Sequence, residues 1–593
     1  MTMDPTNRNT ALASALVEEL ARCGVRRAVV CPGSRSTPLA LALLRESAIE
    51  TATIVDERSG GFFALGAAQA TGQPVAIACT SGTAAANLHP AVCEASEAGV
   101  PLVVLTSDRP PELRGVGAGQ TIDQVKLYGS AVRWFCEMGT HDADDAGLLH
   151  FRGSACRAYA AALGDPRPGP VHLNLSWRDP LGPEPHPEDV SATSALALEG
   201  RDELPLTGVY PPAASLATDE VAAVAADLAE APRGLIVAGR QPDPDLAPAL
   251  AELAAATGYP ILAEPTSQVR CGPHDRGAVV WAYDAIARVR PASLAPELVL
   301  RFGDLPTSKP LRQWLASLES CAQLVVDPTG SWNEPTRTAG LVLRAAPAPL
   351  GRELARALAD RPPGSSDPTW RESWMRAQNA AASEIEAELS AIHEPTEPGI
   401  HLALASAYAG GELVYTASSM PVRDQESFLP ASGSDVRFLA NRGANGIDGL
   451  VSSAIGAAAA SGRAAWLILG DLALHHDSNG LAALRHSRAP VRILVINNDG
   501  GGIFEFLPQA GQVSREEFEA VFGTPLGLDT RHLAALHGVE YHALTELSHL
   551  AGLPRDRHLI AEIRVDRQAN VAVHRAVWES AAQAIRIAID APR

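Results

Sequence analysis

The stretch that decides the fold is AWLILGDLALHHDSNGLAALRHSRAPVRILVINNDGGGIFEFL, residues 465–507. Two apolar runs, 466–469 and 491–496, are typical of buried strands, and a helical segment over 481–484 lies between them. Asp477 and Ser478 offer an N-cap for that helix. A strand, helix, strand unit predicts two parallel strands that lie side by side.

Polar residues follow both strands. Asp471 comes directly after the first run and Asn498 directly after the second, at the strand ends where open α/β sheets bind ligands. A carboxylate, an amide oxygen and a main-chain carbonyl near Gly500 are a ligand set that suits Mg²⁺, with phosphate oxygens and water completing the octahedron. Taken singly, each piece is also compatible with a helix cap or an Asn-Gly turn. The pair on successive strands favours a metal site.

Length and composition predict a soluble protein of about three domains. The chain has 593 residues, 46% of them hydrophobic, and its mean hydropathy is close to zero. It contains no apolar stretch that is long enough to span a membrane, and its first twenty residues do not resemble a signal peptide. The eight cysteines are scattered without CxxC pairs, which predicts free thiols in a cytoplasmic protein.

The net charge of −20 argues against nucleic acid and anionic membranes as partners. An anionic small molecule remains compatible with it, because such a ligand responds to the local field. Only two of the 48 basic residues are lysines, Lys126 and Lys309. Either lysine could be a chance survivor on the surface or could serve where arginine cannot.

The first third of the chain alternates apolar runs with helical segments. Polar clusters follow runs that end near residues 31, 55, 80 and 106, and near-continuous apolar strands predict a parallel sheet that is covered on both faces. One crevice at the carboxyl ends of these strands should collect Ser34, Arg35, Glu57, Ser81 and Arg109.

Two further α/β patterns follow, separated by segments rich in Pro, Ala and Ser. The predicted fold class is α/β, with three doubly wound parallel-sheet domains at 1–185, 205–360 and 395–593. The strand ends of the middle domain carry fewer reactive groups, so that domain is interpreted mainly as scaffold.

The pairing of Gly470-Asp471 with Asn498 resembles the diphosphate-binding motif of thiamine diphosphate enzymes. A set of longer motifs narrows the resemblance: CPGSRSTPLA (31–40), VDERSGGFFALG (55–66), TSGTAAANLHPAV (80–92), TSDRPPELRGVGAGQTIDQ (106–124), NRGANGIDGL (441–450) and NNDGGGIFEFLP (497–508). Together they closely resemble the 2-succinyl-5-enolpyruvyl-6-hydroxy-3-cyclohexene-1-carboxylate synthase family of menaquinone biosynthesis. The resemblance covers both outer domains well and the middle domain thinly.

The resemblance implies an activity and its cofactors. The family decarboxylates 2-oxoglutarate and adds the succinyl semialdehyde unit to isochorismate by conjugate addition, using thiamine diphosphate with Mg²⁺ or Mn²⁺. It also implies a homodimer or homotetramer with active sites between subunits. No nucleic acid or membrane span takes part in this reaction.

The resemblance also implies roles for individual residues. Glu57 should contact the aminopyrimidine ring as the catalytic carboxyl group, the three metal ligands should be Asp471, Asn498 and Gly500, and Ile447 should hold the cofactor bent. The remaining implied cofactor contacts are Pro32, Ser81, Ser419, Leu472, Gly501 and Ile503. The implied substrate contacts are Ser34, Arg35, Arg109, Gln120, Lys309, Ser419, Arg423, Arg442, Ile503, Phe504 and Leu507.

Each assignment has a plainer counterpart. An arginine is more often part of a surface ion pair, and Ile447 and Leu507 could be packing residues. The chain also departs from the family pattern at Gly119 and at Pro310, where Arg312 could substitute for a second basic residue. Leu472 replaces the glycine of most thiamine diphosphate enzymes, a change that this family shares.

Two other functions are compatible with the fold. An acetohydroxyacid synthase would act on small monoanionic oxoacids and would need fewer cations than Arg35, Arg109, Arg423 and Arg442 supply. A nucleotide-binding or scaffold protein on a Rossmann-like fold lacks a GxGxxG after its first strand and gives Glu57 no role.

Overall fold

The computed structural model describes residues 4–164, 166–210, 214–359 and 367–590. In these ranges eighteen strands form three sheets of six strands each. The strands of the first sheet are β1 Arg27–Val30, β2 Glu50–Thr53, β3 Val75–Cys79, β4 Leu102–Asp108, β5 Trp134–Gly139 and β6 Pro170–Ser176. Those of the second are β7 Gly234–Ala238, β8 Ile261–Ala263, β9 Val279–Val280, β10 Leu298–Phe302, β11 Ala322–Val326 and β12 Leu341–Leu343. Those of the third are β13 Leu413–Thr416, β14 Arg437–Leu439, β15 Ala465–Gly470, β16 Val491–Asn497, β17 Glu540–Leu544 and β18 Leu559–Arg564.

The three sheets use two strand orders. The first runs β2-β1-β3-β4-β6-β5 and the third runs β14-β13-β15-β16-β18-β17, which is the same order repeated. The middle sheet runs β12-β11-β10-β7-β8-β9, the order of dinucleotide-binding folds. All three sheets are parallel, so the predicted fold class is confirmed.

Helices connect successive strands. The α-helices up to the end of the first sheet's segment are α1 Arg8–Cys23, α2 Thr37–Arg45, α3 Glu57–Thr71, α4 Thr83–Asn87, α5 His89–Ala98, α6 Asp145–Leu163 and α7 Ala195–Glu199. Those of the middle segment are α8 Thr218–Glu230, α9 Leu246–Thr257, α10 Tyr283–Val289, α11 Lys309–Ala316, α12 Pro347–Ala359 and α13 Pro368–Ser390. Those of the last segment are α14 Glu397–Ala407, α15 Met420–Phe428, α16 Leu450–Ser461, α17 Asp471–His476, α18 Gln509–Gln512, α19 Arg515–Phe518, α20 Thr530–Leu536 and α21 Arg567–Asp590.

Shorter helical turns complete the connections. The 3₁₀ helices are Ser34–Ser36, Pro111–Leu113, Gly129–Ala131, Pro187–Asp189, Pro265–Ser267, Ala292–Leu294, Ser478–His486, Gly502–Phe506 and Leu547–Gly552, and a π-helix spans Glu519–Gly523. Among the described residues, no helix is long and apolar enough to cross a membrane.

The chain divides into two compact units. The first consists of Met1–Pro212, Asn441–Arg463 and His476–Val491, and the second of Ala213–Ala440, Ala464–His475 and Arg492–Arg593. The first unit thus holds the first sheet, and the second holds the other two sheets. The predicted domain ranges 1–185, 205–360 and 395–593 stay a prediction.

In the first unit, α3 and α16 pack at very close range. A Cβ on Gly66 of α3 would lie 1.9 Å from the carbonyl oxygen of Ser453, and one on Gly456 of α16 would lie 2.1 Å from that of Phe63. Glycine at both positions lets the two backbones touch. The segment 441–463, although it follows β14 in sequence, is held against the first sheet's helices by this contact.

The predicted side-chain cap at Asp477 is wrong. The segment after Asp477 is a 3₁₀ helix without a side-chain cap. The Asp477 carboxylate instead accepts hydrogen bonds from the backbone nitrogen and hydroxyl of Ser452, at 2.7 and 3.0 Å, and from the hydroxyl of Ser59 at 3.3 Å. A tertiary contact therefore takes this side chain away from its local role.

Candidate active site

The loops after β1 and β3 lie against each other at the carboxyl edge of the first sheet. A Cβ on Gly33 would come within 2.3 Å of the Thr80 side chain, so only glycine allows this approach. In an open α/β sheet with this strand order, neighbouring strands whose connections leave in opposite directions form the usual ligand crevice. The predicted residues Pro32, Ser34 and Ser81 lie on these two loops.

Hydrogen bonds join three of the predicted contacts in this crevice. The Arg109 guanidinium donates two hydrogen bonds. Nη1 donates to the Ser81 hydroxyl, and Nη2 donates to the carbonyl of Gly119 at 2.8 Å. The Ser81 hydroxyl donates to the carbonyl of Gln120 at 3.0 Å, and the Gln120 amide donates to the carbonyl of Ser81 at 3.1 Å. The structure therefore brings together Ser81 and Arg109 of the predicted crevice, with Gln120 bonded to them.

Arg35 adds a second cation to this crevice. It donates to the carbonyl of Trp177 at 2.9 Å, and its Nε has no hydrogen-bond partner among the described residues. Burial and the nearby Arg109 guanidinium both lower the pKa of Arg35. The Asp179 carboxylate, 3.6 Å from the Arg35 guanidinium, offsets part of the repulsion between the two arginines, and an anionic ligand would relieve the rest.

Glu57 lies at the same edge, as the first residue of α3. The Asp56 side chain caps this helix by accepting from the backbone nitrogen of Arg58. Burial raises the pKa of the Cys31 thiol at the end of β1, and the Glu57 carboxylate adds to that shift. The Glu57 carboxylate is therefore near the carboxyl end of β1 and partly open to solvent.

The loop 441–449, which carries Arg442 and Ile447, is held in place by contacts with α5. The buried Glu94 carboxylate of α5 accepts from the backbone nitrogens of Gly443 and Ala444, at 2.7 and 2.6 Å. A Cβ on Gly443 would lie 2.5 Å from the backbone nitrogen of Ala98. The two hydrogen bonds to Glu94 fix the position of the loop. The Arg442 and Ile447 side chains on it are half-buried.

In the second unit, Asp471 and Asn498 follow the neighbouring strands β15 and β16. One side-chain oxygen of each, Oδ1 in both residues, is buried without a hydrogen-bond partner among the described residues. Burial raises the pKa of the Asp471 carboxyl to about 6, and the backbone N–H groups of Asp471, Gly500 and Asn498 act in the opposite direction. The backbone N–H groups of Asn498 and Gly500 therefore lie against the Asp471 carboxylate.

This arrangement fits a divalent cation. Two buried oxygens without hydrogen bonds, one of them from a carboxylate, destabilise the folded protein. A hard cation, which prefers oxygen ligands, would compensate for their lost hydration. The described residues contain no group of three or more His, Cys, Asp or Glu side chains that could hold a metal. A site of this kind therefore relies on one acid, one amide and other oxygens.

The backbone after Asn498 passes tightly under a neighbouring turn. Gly500 has φ +141°, and a Cβ there would lie 2.1 Å from the carbonyl of Gly523. The 3₁₀ helix that follows carries Ile503 and Phe504, both half-buried, and Phe504 packs on Phe522 with ring centroids 5.5 Å apart. Leu507 at the end of this helix is 38% exposed, so it is not a core residue.

The two cations of the second unit that are predicted to contact substrate, Lys309 and Arg423, lie on α11 and α15. Arg423 on α15 donates to the carbonyl of Ser419, which follows β13 with φ +80°. Lys309 is exposed at the start of α11, where Ser308 caps the helix. The buried Asp284 accepts from Ser308 at 2.5 Å and from Ser427 of α15 at 3.2 Å, so one carboxylate anchors both helices.

The sequence reasoning missed three buried carboxylates that support the site. They are Glu94 under the loop 441–449, Asp284 between α11 and α15, and Glu397, which accepts from the Asn498 side-chain amide at 2.8 Å. Each contacts a residue at least 24 positions away, so no local motif marks it. An acidic residue at an apolar helix position, as at Glu94, is the one local signal that could have flagged one of them.

The N-terminal part of the chain is similar to a known enzyme domain. The family described as "Thiamine pyrophosphate enzyme, N-terminal TPP binding domain" matches residues 10–127, which hold the crevice residues and Glu57. The chain therefore contains the N-terminal domain of a thiamine diphosphate-dependent enzyme.

Full-length relatives define the family. The chain is 45% identical over 585 residues to the 2-succinyl-5-enolpyruvyl-6-hydroxy-3-cyclohexene-1-carboxylate synthase of Chloroflexus aurantiacus, covering 97% of each chain. It is 43% identical to the protein of that name from Myxococcus xanthus, covering 96% of this chain and 97% of the relative. For the one from Geobacillus thermodenitrificans the identity is 41%, covering 98% and 97%. The chain belongs to this synthase family, as its sequence motifs predict.

Proposed function

We propose that this protein decarboxylates 2-oxoglutarate and adds the succinyl semialdehyde unit to isochorismate, as a step of menaquinone biosynthesis. The products are 2-succinyl-5-enolpyruvyl-6-hydroxy-3-cyclohexene-1-carboxylate and CO₂. The observation that carries this proposal is the identity of 41–45% to synthases of that name over nearly the whole chain. The pair of arginines in the first unit's crevice supports it, because both substrates are dianions.

Thiamine diphosphate, when bound, supplies the electron sink that lets a 2-oxoacid lose CO₂. For the protein's part, the Glu57 carboxyl oxygen would hold or release a proton when the aminopyrimidine ring of the cofactor is bound. Ile447, on the loop 441–449, would hold the bound cofactor in a bent form. The further cofactor contacts are Pro32, Ser81, Ser419, Leu472, Gly501 and Ile503.

Mg²⁺ or Mn²⁺ is the proposed metal, held by Asp471, Asn498 and the carbonyl oxygen of Gly500. The two unpartnered oxygens described above support this assignment. A hard cation with few protein ligands keeps coordination sites open for phosphate oxygens and water.

The proposed substrate contacts combine cations with an apolar wall. Arginine suits carboxylates because its planar fork can donate two parallel hydrogen bonds. The cations are Arg35, Arg109, Lys309, Arg423 and Arg442, the neutral polar contacts are Ser34, Gln120 and Ser419, and the apolar contacts are Ile503, Phe504 and Leu507. An apolar wall near the reacting carbon excludes water, which would otherwise compete as a proton source.

The test is an assay of the purified protein with 2-oxoglutarate and isochorismate, with thiamine diphosphate and with or without Mg²⁺. We expect product only when both substrates and both cofactors are present. Pyruvate in place of 2-oxoglutarate should give no comparable turnover. Turnover with pyruvate but not with 2-oxoglutarate would contradict the proposal and favour an acetohydroxyacid synthase.

A substitution at Glu57 tests its catalytic role separately from cofactor binding. Glu57→Gln keeps the size of the side chain but cannot share a proton, so kcat should fall by about 10²- to 10⁴-fold. Thiamine diphosphate affinity, measured by calorimetry, should stay close to that of the wild type. The exposed Glu112, paired with Arg178, provides the control Glu112→Gln, which should leave kcat unchanged. A Glu57→Gln protein with near-normal kcat would refute the catalytic role.

A further inference from the structure

The buried Glu397 contacts the amide of Asn498, and the role inferred for it below rests on the metal site of the proposed function. Glu397 is the first residue of α14, whose N-cap is Thr396, and it is 1% exposed. Its Oε1 accepts a hydrogen bond from Nδ2 of Asn498 at 2.8 Å. Burial of an acidic side chain is unfavourable unless hydrogen bonds or other contacts compensate for its lost hydration.

This contact decides which way the Asn498 amide points. A carboxamide has a donor end and an acceptor end of nearly the same shape. With the donor end bonded to Glu397, the acceptor oxygen faces the other way, and this Oδ1 is the one that is buried without a partner. A flipped amide would set its oxygen against the carboxyl oxygen of Glu397 and lose the hydrogen bond.

We propose that Glu397 is a positioning residue, which holds the Asn498 side-chain oxygen towards the metal ion. Such supports of metal ligands are frequent, because a ligand that is free to rotate binds an ion less tightly. The role needs an acceptor oxygen on residue 397 that faces the Asn498 amide, and Oε1 of Glu397 provides it.

Glu397 is in turn held by neighbouring helices. Behind it, Asp424 of α15 is buried and accepts from Nε2 of His574 of α21 at 2.8 Å. The other ring nitrogen of His574 contacts the carbonyl of Asn570 at 2.8 Å. Burial raises the pKa of Glu397, and the nearby Asp424 carboxylate acts in the same direction. Three helices thus converge behind one metal ligand.

The experiment measures Mn²⁺ binding in the presence of thiamine diphosphate by the loss of the free-ion EPR signal, without any need for turnover. Glu397→Met removes the acceptor at similar size, and we expect the Mn²⁺ dissociation constant to rise by about 10- to 100-fold. Glu397→Gln keeps a carbonyl oxygen at the same reach and should bind within about threefold of the wild type. Glu397→Asp keeps the charge but withdraws the acceptor by one methylene, and should be weakened by about tenfold.

A matched control lies at the opposite edge of the same sheet. Glu412, just before β13, is also buried and is paired with Arg492 at the start of β16. Glu412→Met should lower the thermal midpoint of the apoprotein, since it leaves a buried arginine unpaired, but should keep Mn²⁺ affinity. A loss of affinity in the Glu397 variants alone separates positioning from general destabilisation.

The outcomes are distinguishable. Wild-type affinity in Glu397→Met or Glu397→Asp, or a loss in Glu397→Gln as large as that in Glu397→Met, would overturn the inference and leave the proposed function intact. If the methionine variant does not fold, the aspartate and glutamine variants decide. A wild-type protein that binds no Mn²⁺ with thiamine diphosphate would overturn both the inference and the proposed metal site.

Discussion

His172 shows how a single buried side chain sets the response of the protein to acid. It lies in β6 with no exposed surface, and its Nε2 contacts the Thr106 hydroxyl at 2.7 Å. Burial lowers the pKa of His172 from its ordinary value of 6.5 to about 3. The folded protein therefore keeps this ring neutral over a pH range in which the unfolded chain protonates it.

The sign of the effect follows from linkage. As pH falls below 6.5, His172 becomes protonated in the unfolded state but stays neutral in the folded state. The free energy of unfolding therefore decreases by about 1.4 kcal/mol per pH unit until the pH approaches 3. His172→Gln cannot titrate and can still bond Thr106. We expect its stability, measured by urea unfolding, to improve relative to the wild type between about pH 7.5 and pH 5.5.

The control for this prediction is His532→Gln. The His532 side chain is 85% exposed, so its removal should leave the pH dependence of stability unchanged. Equal slopes of stability against pH in His172→Gln and the wild type would show that His172 takes up a proton in the folded protein.

At the same residue scale, the sequence located strand-end groups well and their supports poorly. Arg109, Asp471 and Asn498 could be placed because a parallel sheet brings the carboxyl ends of its strands to one edge. Glu94 and Glu397 could not, since their partners lie 349 and 101 positions away and tertiary packing alone brings them together. Asp477 was misassigned for the same reason.

At the scale of elements, the contact between α3 and α16 depends on the absence of a methyl group. Gly66→Ala would drive a Cβ to 1.9 Å from the Ser453 carbonyl oxygen, so the helices must separate. We expect a loss of about 1–3 kcal/mol of stability, read as a lower thermal midpoint.

Gly153 in α6 is the matched control. It also lies inside a helix of the first unit, but a Cβ there would have no neighbour within 4 Å. Gly153→Ala should stabilise the protein by about 0.5–1 kcal/mol, because alanine loses less backbone freedom on folding. A Gly66→Ala protein as stable as Gly153→Ala would mean that the two helices can shift apart freely.

Elements also show where sequence patterns lose power. The long apolar strands β3, β4, β15 and β16 were predicted within one or two residues, because they are buried on both faces. The strand β5 was missed, since it is a half-buried edge strand of mixed sequence, and β9 is only two residues long. Neither leaves the continuous apolar run on which the prediction depended.

At the scale of the whole molecule, we expect the protein to assemble into an oligomer. The family resemblance implies a cofactor shared between subunits, so we expect sedimentation at twice the chain mass of 62.1 kDa or more. Specific activity should fall on dilution at the concentration where the oligomer dissociates, as followed by analytical ultracentrifugation. Full activity in a species of 62.1 kDa would contradict a shared site.

The scarcity of lysine has a practical consequence for such measurements. Lys126, exposed in the first unit, and Lys309, exposed in the second, are the only lysines among 593 residues. Changing one of them to arginine leaves a single ε-amino group, on a known unit, for an amine-reactive fluorophore. The chain thus needs one substitution, and no introduced cysteine, to carry one fluorophore on a lysine of either unit.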